Sequence, residues 1–233
     1  MRVSPSISAA SHTRTPAGPP VVGSEAWTHA LAQPAFRWSW LLLLVLLFGG
    51  LVPVVPGFFH FIQQRPGAVA FDPLLGLLPR RDVAWPIFAL MYGGVVVAVG
   101  WLTRYPHLFL RGMWGYLLLL VLRMAAIWLV PLVPPLDIVA MPDPFLALVF
   151  HTEANEAITK DLFFSGHTST VVLLALAVRG RWLRRGLAIV ATLIGVLVLV
   201  QRVHYTCDVL AAPLFAWLAY WAAQYLAPNE PLA

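Results

Sequence analysis

Two short segments gather side chains able to do acid–base and nucleophilic chemistry. The first is Asp161-Leu-Phe-Phe-Ser165-Gly166-His167-Thr168, and the second is Arg202-Val-His204-Tyr205-Thr206-Cys207-Asp208-Val209. In the first, hydroxyls, a glycine and an imidazole fall at the start of an apolar block. The first N–H groups of a helix and its dipole favour an anion, and phosphate is a common ligand there. Ser165 also reads as a plain helix N-cap, although capping alone does not account for His167 inside the block. In the second segment His204 and Asp208 are four apart, so they share a face if a helix has begun by this point. A carboxylate so placed holds one imidazole nitrogen as N–H and leaves the other free as base or nucleophile. The bland alternative is a structural His–Asp hydrogen bond at a helix start.

Together the segments supply what phosphoryl transfer through a covalent intermediate requires: a nucleophile, its orienter, a general acid and donors for the phosphate oxygens. His204 is the expected nucleophile, Asp208 its orienter and His167 the acid. Asp161, Ser165, Gly166, Thr168, Arg202, Tyr205, Lys160 and Arg123 are the candidates for holding phosphate or substrate. Arg123 stands in the middle of an apolar block, where an arginine is costly without a partner. Phosphate pairing and a structural ion pair both remain open for it. His60, His107 and His151 read as loop residues, and Cys207 as local helix packing. A non-catalytic lipid-phosphate binder or transporter would use the same cationic cradle, but it has no need of the His204–Asp208 pairing.

Positioning these residues falls to apolar blocks rather than to amphipathic stripes. Of the 233 residues, 60% are hydrophobic and only 11% charged, and the mean hydropathy is +0.80. A soluble domain of this size carries far more surface charge. Six blocks can be drawn, at 38–55, 85–102, 113–133, 162–178, 182–200 and 209–226. Each approaches the roughly 20 residues that cross a hydrocarbon core at 1.5 Å per residue. The expected fold is therefore an all-α, polytopic bundle of six transmembrane helices over 37–228. A Ser/Pro/Ala-rich segment, 1–36, precedes it as a disordered cytosolic tail rather than a cleavable signal peptide, and a short tail, 229–233, follows.

The formal net charge is +5, yet the basic residues sit at block ends rather than on one face. They read as topology determinants, and no nucleic-acid partner is expected. One cysteine excludes an internal disulfide framework. If all six blocks span, Arg2, Arg14, Arg37, Arg104, Arg111, Arg179, Arg181, Arg184 and Arg185 share one face with both termini. The opposite face receives Arg65, Arg80, Arg81 and Arg202. It also takes the acidic stretch containing Asp137, Asp143, Glu153, Glu156 and Asp161. The positive-inside bias puts both termini in the cytosol and the two chemical segments on the external side. The compact size fits a bacterial inner membrane.

At these residues the chain resembles the type 2 phosphatidic acid phosphatase superfamily, and within it the sphingomyelin synthase-like branch. That branch has an Asp-x-x-x-Ser-Gly-His-Thr motif, matched by Asp161, Ser165, Gly166, His167 and Thr168. Its second motif, His-Tyr-Ser/Thr-x-Asp-Val/Leu-x-x-Ala/Gly, is matched by His204, Tyr205, Thr206, Asp208, Val209 and Ala212. The resemblance implies a catalytic triad of His167, His204 and Asp208 on the external side of six helices. It also implies membrane lipids as substrates and chemistry without a metal or other cofactor, although two histidines and an aspartate are in principle zinc ligands. The Lys-x6-Arg-Pro motif of the broader superfamily is absent, since Lys160 is the only lysine. The Cys-Gly that precedes Asp in animal sphingomyelin synthases is Thr159-Lys160 here. Donor, acceptor and oligomeric state are left open, as is water against a lipid alcohol as the acceptor.

Overall fold

The computed structural model describes residues 22–143 and 158–228, and these are helical with no strand among them. Arg2 and Arg14 in the tail, His151, Glu153 and Glu156 in the long loop, and the segment 229–233 lie outside the described residues. Helix α1, Ser24–Ala32, falls inside the stretch expected to be a tail. It is fastened to the connection at 103–105 by the Trp27 indole N–H donating to Thr103 O at 2.6 Å and by Gly23 N–H donating to Arg104 O at 3.0 Å. Tertiary anchoring of this kind is invisible to a compositional reading.

Among the described residues, five helices are long and apolar enough to cross a membrane: α2, Pro34–Gln64; α3, Ala84–Leu102; α4, Pro106–Leu129; α6, Arg181–Val200; and α7, Thr206–Leu226. Between α4 and α6 lies α5, Gly166–Ala177, shorter but equally apolar. The expected helical membrane bundle is thus present, with revised bounds. Helix α2 extends beyond residue 55 to Gln64, and it contains a π-helical stretch, Val45–Leu51. Pro53 and Pro56 follow that stretch and lack the N–H that would bond the preceding turn. A widened turn is a common way to accommodate such missing bonds. Helix α4 begins seven residues before the expected Met113 and ends at Leu129. Arg123 is therefore in its last third rather than at mid-span.

Helix α5 is 12 residues long, about 18 Å. The chain then runs non-helically through 178–180, adding about 10 Å of reach. Arg184 covers the end of α5 by donating to Val178 O at 2.9 Å. Helix α5 packs against α3, α4, α6 and α7, and α4 packs along α7. Ala212, Ala216, Ala219 and Ala223 of α7 have no exposed surface. They form a stripe of small residues that lets helices approach closely without a hydrophobic driving force between them. Helix α2 lies at the edge, with few of its residues buried; Phe36, Leu43 and Leu47 pack it against α4.

One end of the bundle is closed by interlocked connections. Ala68 and Leu132 form a parallel bridge. Gln201, fully buried, donates to Asp82 Oδ1 at 3.2 Å and Val139 O at 3.3 Å and accepts from Val83 N–H at 2.5 Å. The opposite end carries Arg179, Arg181, Arg184 and Arg185 around the α5–α6 connection. Arg181 and Arg185 lie 5.2 and 5.6 Å from the exposed Trp182 ring.

Candidate active site

The two chemical segments meet at the interlocked end. Ser165 N–H donates to Asp208 O at 3.0 Å, joining the start of α5 to the first turn of α7. Ser165 Oγ accepts from Thr168 N–H at 3.4 Å, so Ser165 is the N-cap of α5, as one of the two sequence readings had it. The segment leading into it is bent at Phe163, whose φ is 90°, a rare conformation for a bulky residue. Phe163 and Phe164 are both held there by Phe215 of α7, the latter stacked at 4.4 Å.

His204 sits in the turn before α7. Its Nδ1 is 3.1 Å from Asp208 Oδ2, and both residues are buried. An ionised carboxylate only accepts, so Nδ1 carries the proton in this hydrogen bond and Nε2 is left outside it. The same Asp208 oxygen also accepts from Tyr205 N–H at 3.1 Å. Asp208 is thereby fixed from two sides, and the imidazole is fixed by Asp208. The exposed Cys207 places its Sγ 3.5 Å from Asp208 Oδ1. Arg202, two residues before His204, has φ 61°, which turns the chain sharply between α6 and His204.

His167, on the first turn of α5, lies edge-on to Phe88 of α3 at 5.8 Å. It is within electrostatic reach of His204 and Arg123. Its Nδ1 is buried without a hydrogen-bond partner. The other two buried side-chain atoms in that condition among the described residues are Thr168 Oγ1 and Arg202 Nε. All three belong to the two chemical segments; Arg202 Nε has the Asp137 carboxylate at 3.6 Å, whereas a buried imidazole nitrogen without a hydrogen bond is uncommon.

Arg123 pairs with Asp161. Its Nε donates at 2.8 Å, and a second nitrogen contacts the other carboxylate oxygen. This is a two-pronged ion pair inside the bundle. The guanidinium lies against the backbone of Gly166, where any Cβ would collide with it. Glycine there allows the close approach, and a side chain would have to displace the guanidinium. The sequence left phosphate pairing and a structural ion pair open for Arg123; the ion pair is present, and its guanidinium lies against Gly166, the residue before His167.

Other candidates stand further out. Lys160 Nζ donates to Gln63 O at 2.8 Å and Arg65 O at 2.5 Å, tying down the final turn of α2. Arg202 donates to Leu78 O at 2.8 Å, and its Nε is 3.6 Å from Asp137. The Tyr205 hydroxyl donates to Val133 O at 2.9 Å. Thr168 turns its side chain toward Gly195 of α6. One participant was missed entirely. Asp72, on the connection between α2 and α3, accepts from Thr206 N–H at 2.5 Å and from the Thr206 hydroxyl at 3.0 Å. In the sequence, Asp72-Pro73 signals only a local turn, and nothing there points to residue 206. No group of three or more metal-ligating side chains occurs among the described residues.

Residues 160–225 match the family model described as PAP2 superfamily C-terminal. The match takes in both chemical segments and helices α5 to α7, and it supports a place in that superfamily. Helices α1 to α4, with Asp72 and Arg123, fall outside it. No curated protein and no solved structure matches the chain.

Proposed function

We propose that the chain is a membrane enzyme that moves a phosphate-bearing head group, of the phosphocholine or phosphoethanolamine type, between lipids through a phosphorylated His204. The family match supports a phosphatase or phosphotransferase acting on lipid phosphoesters. The observation that carries the reading is the buried His204–Asp208 pair, joined through backbone to the segment that bears His167. A binder has no use for an imidazole held in one tautomer by a buried carboxylate.

In the first half, His204 Nε2 attacks phosphorus and the bond to the diacylglycerol oxygen breaks. His167 gives its proton to that oxygen. The Nδ1–H bond to Asp208 stabilises the positive charge that the ring acquires. In the second half, a lipid alcohol attacks phosphorus, His167 takes its proton and the N–P bond breaks. Water in place of the alcohol makes the same site a lipid phosphatase, and exclusion of water decides between them. Arg123 and the start of α5 are the groups we assign to the phosphate oxygens. By the positive-inside bias, the site faces the external side and the arginine-rich end the cytosol.

The test is to incubate the purified, detergent-solubilised protein with a fluorescent ceramide and phosphatidylcholine or phosphatidylethanolamine, with phosphatidic acid in a parallel tube. A fluorescent phospholipid is expected. His204→Ala should abolish it, and His167→Ala should slow it by about 10²–10⁴-fold, the range for a general acid. Phosphate released from phosphatidic acid without a fluorescent product makes water the acceptor. Undiminished turnover in folded His204→Ala sinks both versions.

A further inference from the structure

The His204–Asp208 pair straddles a junction. His204 belongs to the turn after α6, and Asp208 to the first turn of α7. Their separation is therefore set by the backbone at 205 and 206 rather than by helix geometry alone. The groups holding that junction come largely from elsewhere in the chain. Tyr205 is anchored through its hydroxyl to Val133 O. Thr206 is anchored by Asp72, which takes its N–H on one carboxylate oxygen and its hydroxyl on the other. Asp72 thus caps α7 from 134 positions away in the chain, satisfying one of the N–H groups that a helix start leaves open.

The cap is itself fixed. Asp72 Oδ1 also accepts from Leu75 N–H at 3.0 Å, which sets the short turn Leu75–Leu77. Leu75 then packs with Leu162 and Tyr205 in one buried cluster. Leu162 precedes Ser165, and Tyr205 follows His204, so this cluster touches both chemical segments. The connection between α2 and α3 grips the site by one polar and one apolar contact, three residues apart.

We infer that Asp72 is a positioning residue for the His204–Asp208 pair, acting through Thr206 rather than on the substrate. This rests on the function proposed above for its catalytic consequence, but its structural consequence is independent of it. The carboxyl is held below its ordinary range. Desolvation, the largest single influence, pushes it up, but hydrogen bonds from the Thr206 N–H, the Leu75 N–H and the Thr206 hydroxyl together outweigh it. Asp72 is thus an ionised acceptor near neutral pH. An acceptor with two free oxygens is what the paired N–H and hydroxyl of Thr206 require.

Nitrogen NMR of the full chain labelled at histidine nitrogens reads this without a substrate. His204→Ala and His167→Ala assign the two site rings. Asp72→Ala should move the His204 nitrogen signals away from the Nδ1–H form and leave those of His60 and His107 in place. Asp72→Asn, which keeps one acceptor oxygen, should move them less, and Asp72→Glu should restore little, since its longer arm displaces the carboxylate. In the lipid assay, Asp72→Ala should lower kcat about tenfold while KM changes less than twofold. A folded Asp72→Ala or Asp72→Asn protein with unmoved His204 signals overturns the inference. Unchanged kcat with moved signals overturns its catalytic part. Loss of the proposed function shows separately, as turnover surviving His204→Ala, whatever the Asp72 variants do.

Discussion

Helices α2 and α5 are both apolar and both contain glycine, but they stand in opposite surroundings. Helix α2 is 31 residues long with few buried residues in its span, and a Cβ added at Gly49, Gly50 or Gly57 would meet nothing within 4 Å. Helix α5 is 12 residues long, wrapped by four other helices, and a Cβ at Gly166 would run into Arg123. Surroundings, not apolar character, thus separate a peripheral helix from one enclosed by protein; Arg123 and Asp208 stand on the longer α4 and α7 where these pack against α5. Chemistry collects on the second kind, because only protein neighbours can offer a carboxylate, a guanidinium or a second imidazole at fixed distance. A polar side chain aimed at lipid from α2 would have no such partner.

The sharpest way to break this contrast is to substitute alanine for glycine in each helix. Gly166→Ala should displace the Arg123 guanidinium and lower turnover by about 100-fold, the scale of a 1 Å misplacement of catalytic groups. Turnover within a few-fold of the original would show that Arg123 is not required where it lies. Next in size is the ion pair. Arg123→Met should leave Asp161 without its partner and reduce stability by about 2 kcal/mol, below the fully buried range because both side chains keep some exposure. Thermal unfolding in detergent checks it, and an unchanged midpoint would make the pair energetically idle. The smallest effect belongs to Gly50→Ala. It should leave turnover unaltered and change stability by no more than about 1 kcal/mol, in the stabilising direction expected for alanine in a helix. A marked loss of activity there would place α2 in contact with the reaction after all.

Much of this arrangement was legible before any coordinates. The apolar blocks mark the helices, because nothing else in a chain of this composition demands such runs. His204 and Asp208 at a spacing of four identify a pair that a helix start brings together. The misses share a physical cause. Helix α1 and the far half of α2 are polar or proline-bearing, so their helicity depends on what they pack against rather than on periodicity. Lys160 reads as a phosphate ligand by its charge; its ammonium group donates to the Gln63 and Arg65 carbonyls at the end of α2, a contact that local sequence does not encode. Asp72 carries no motif at all. Its role is set by a contact spanning most of the chain, which local spacing does not encode.

The exposed thiol of Cys207, one residue from Asp208, has a use unconnected with packing. Since the chain holds a single cysteine, an untouched protein in a sealed vesicle or an intact cell already bears one address label at the site. A bulky thiol reagent that does not pass through lipid will modify it from one side only. The face of the membrane to which this end of the bundle is turned can thus be read without introducing any tag.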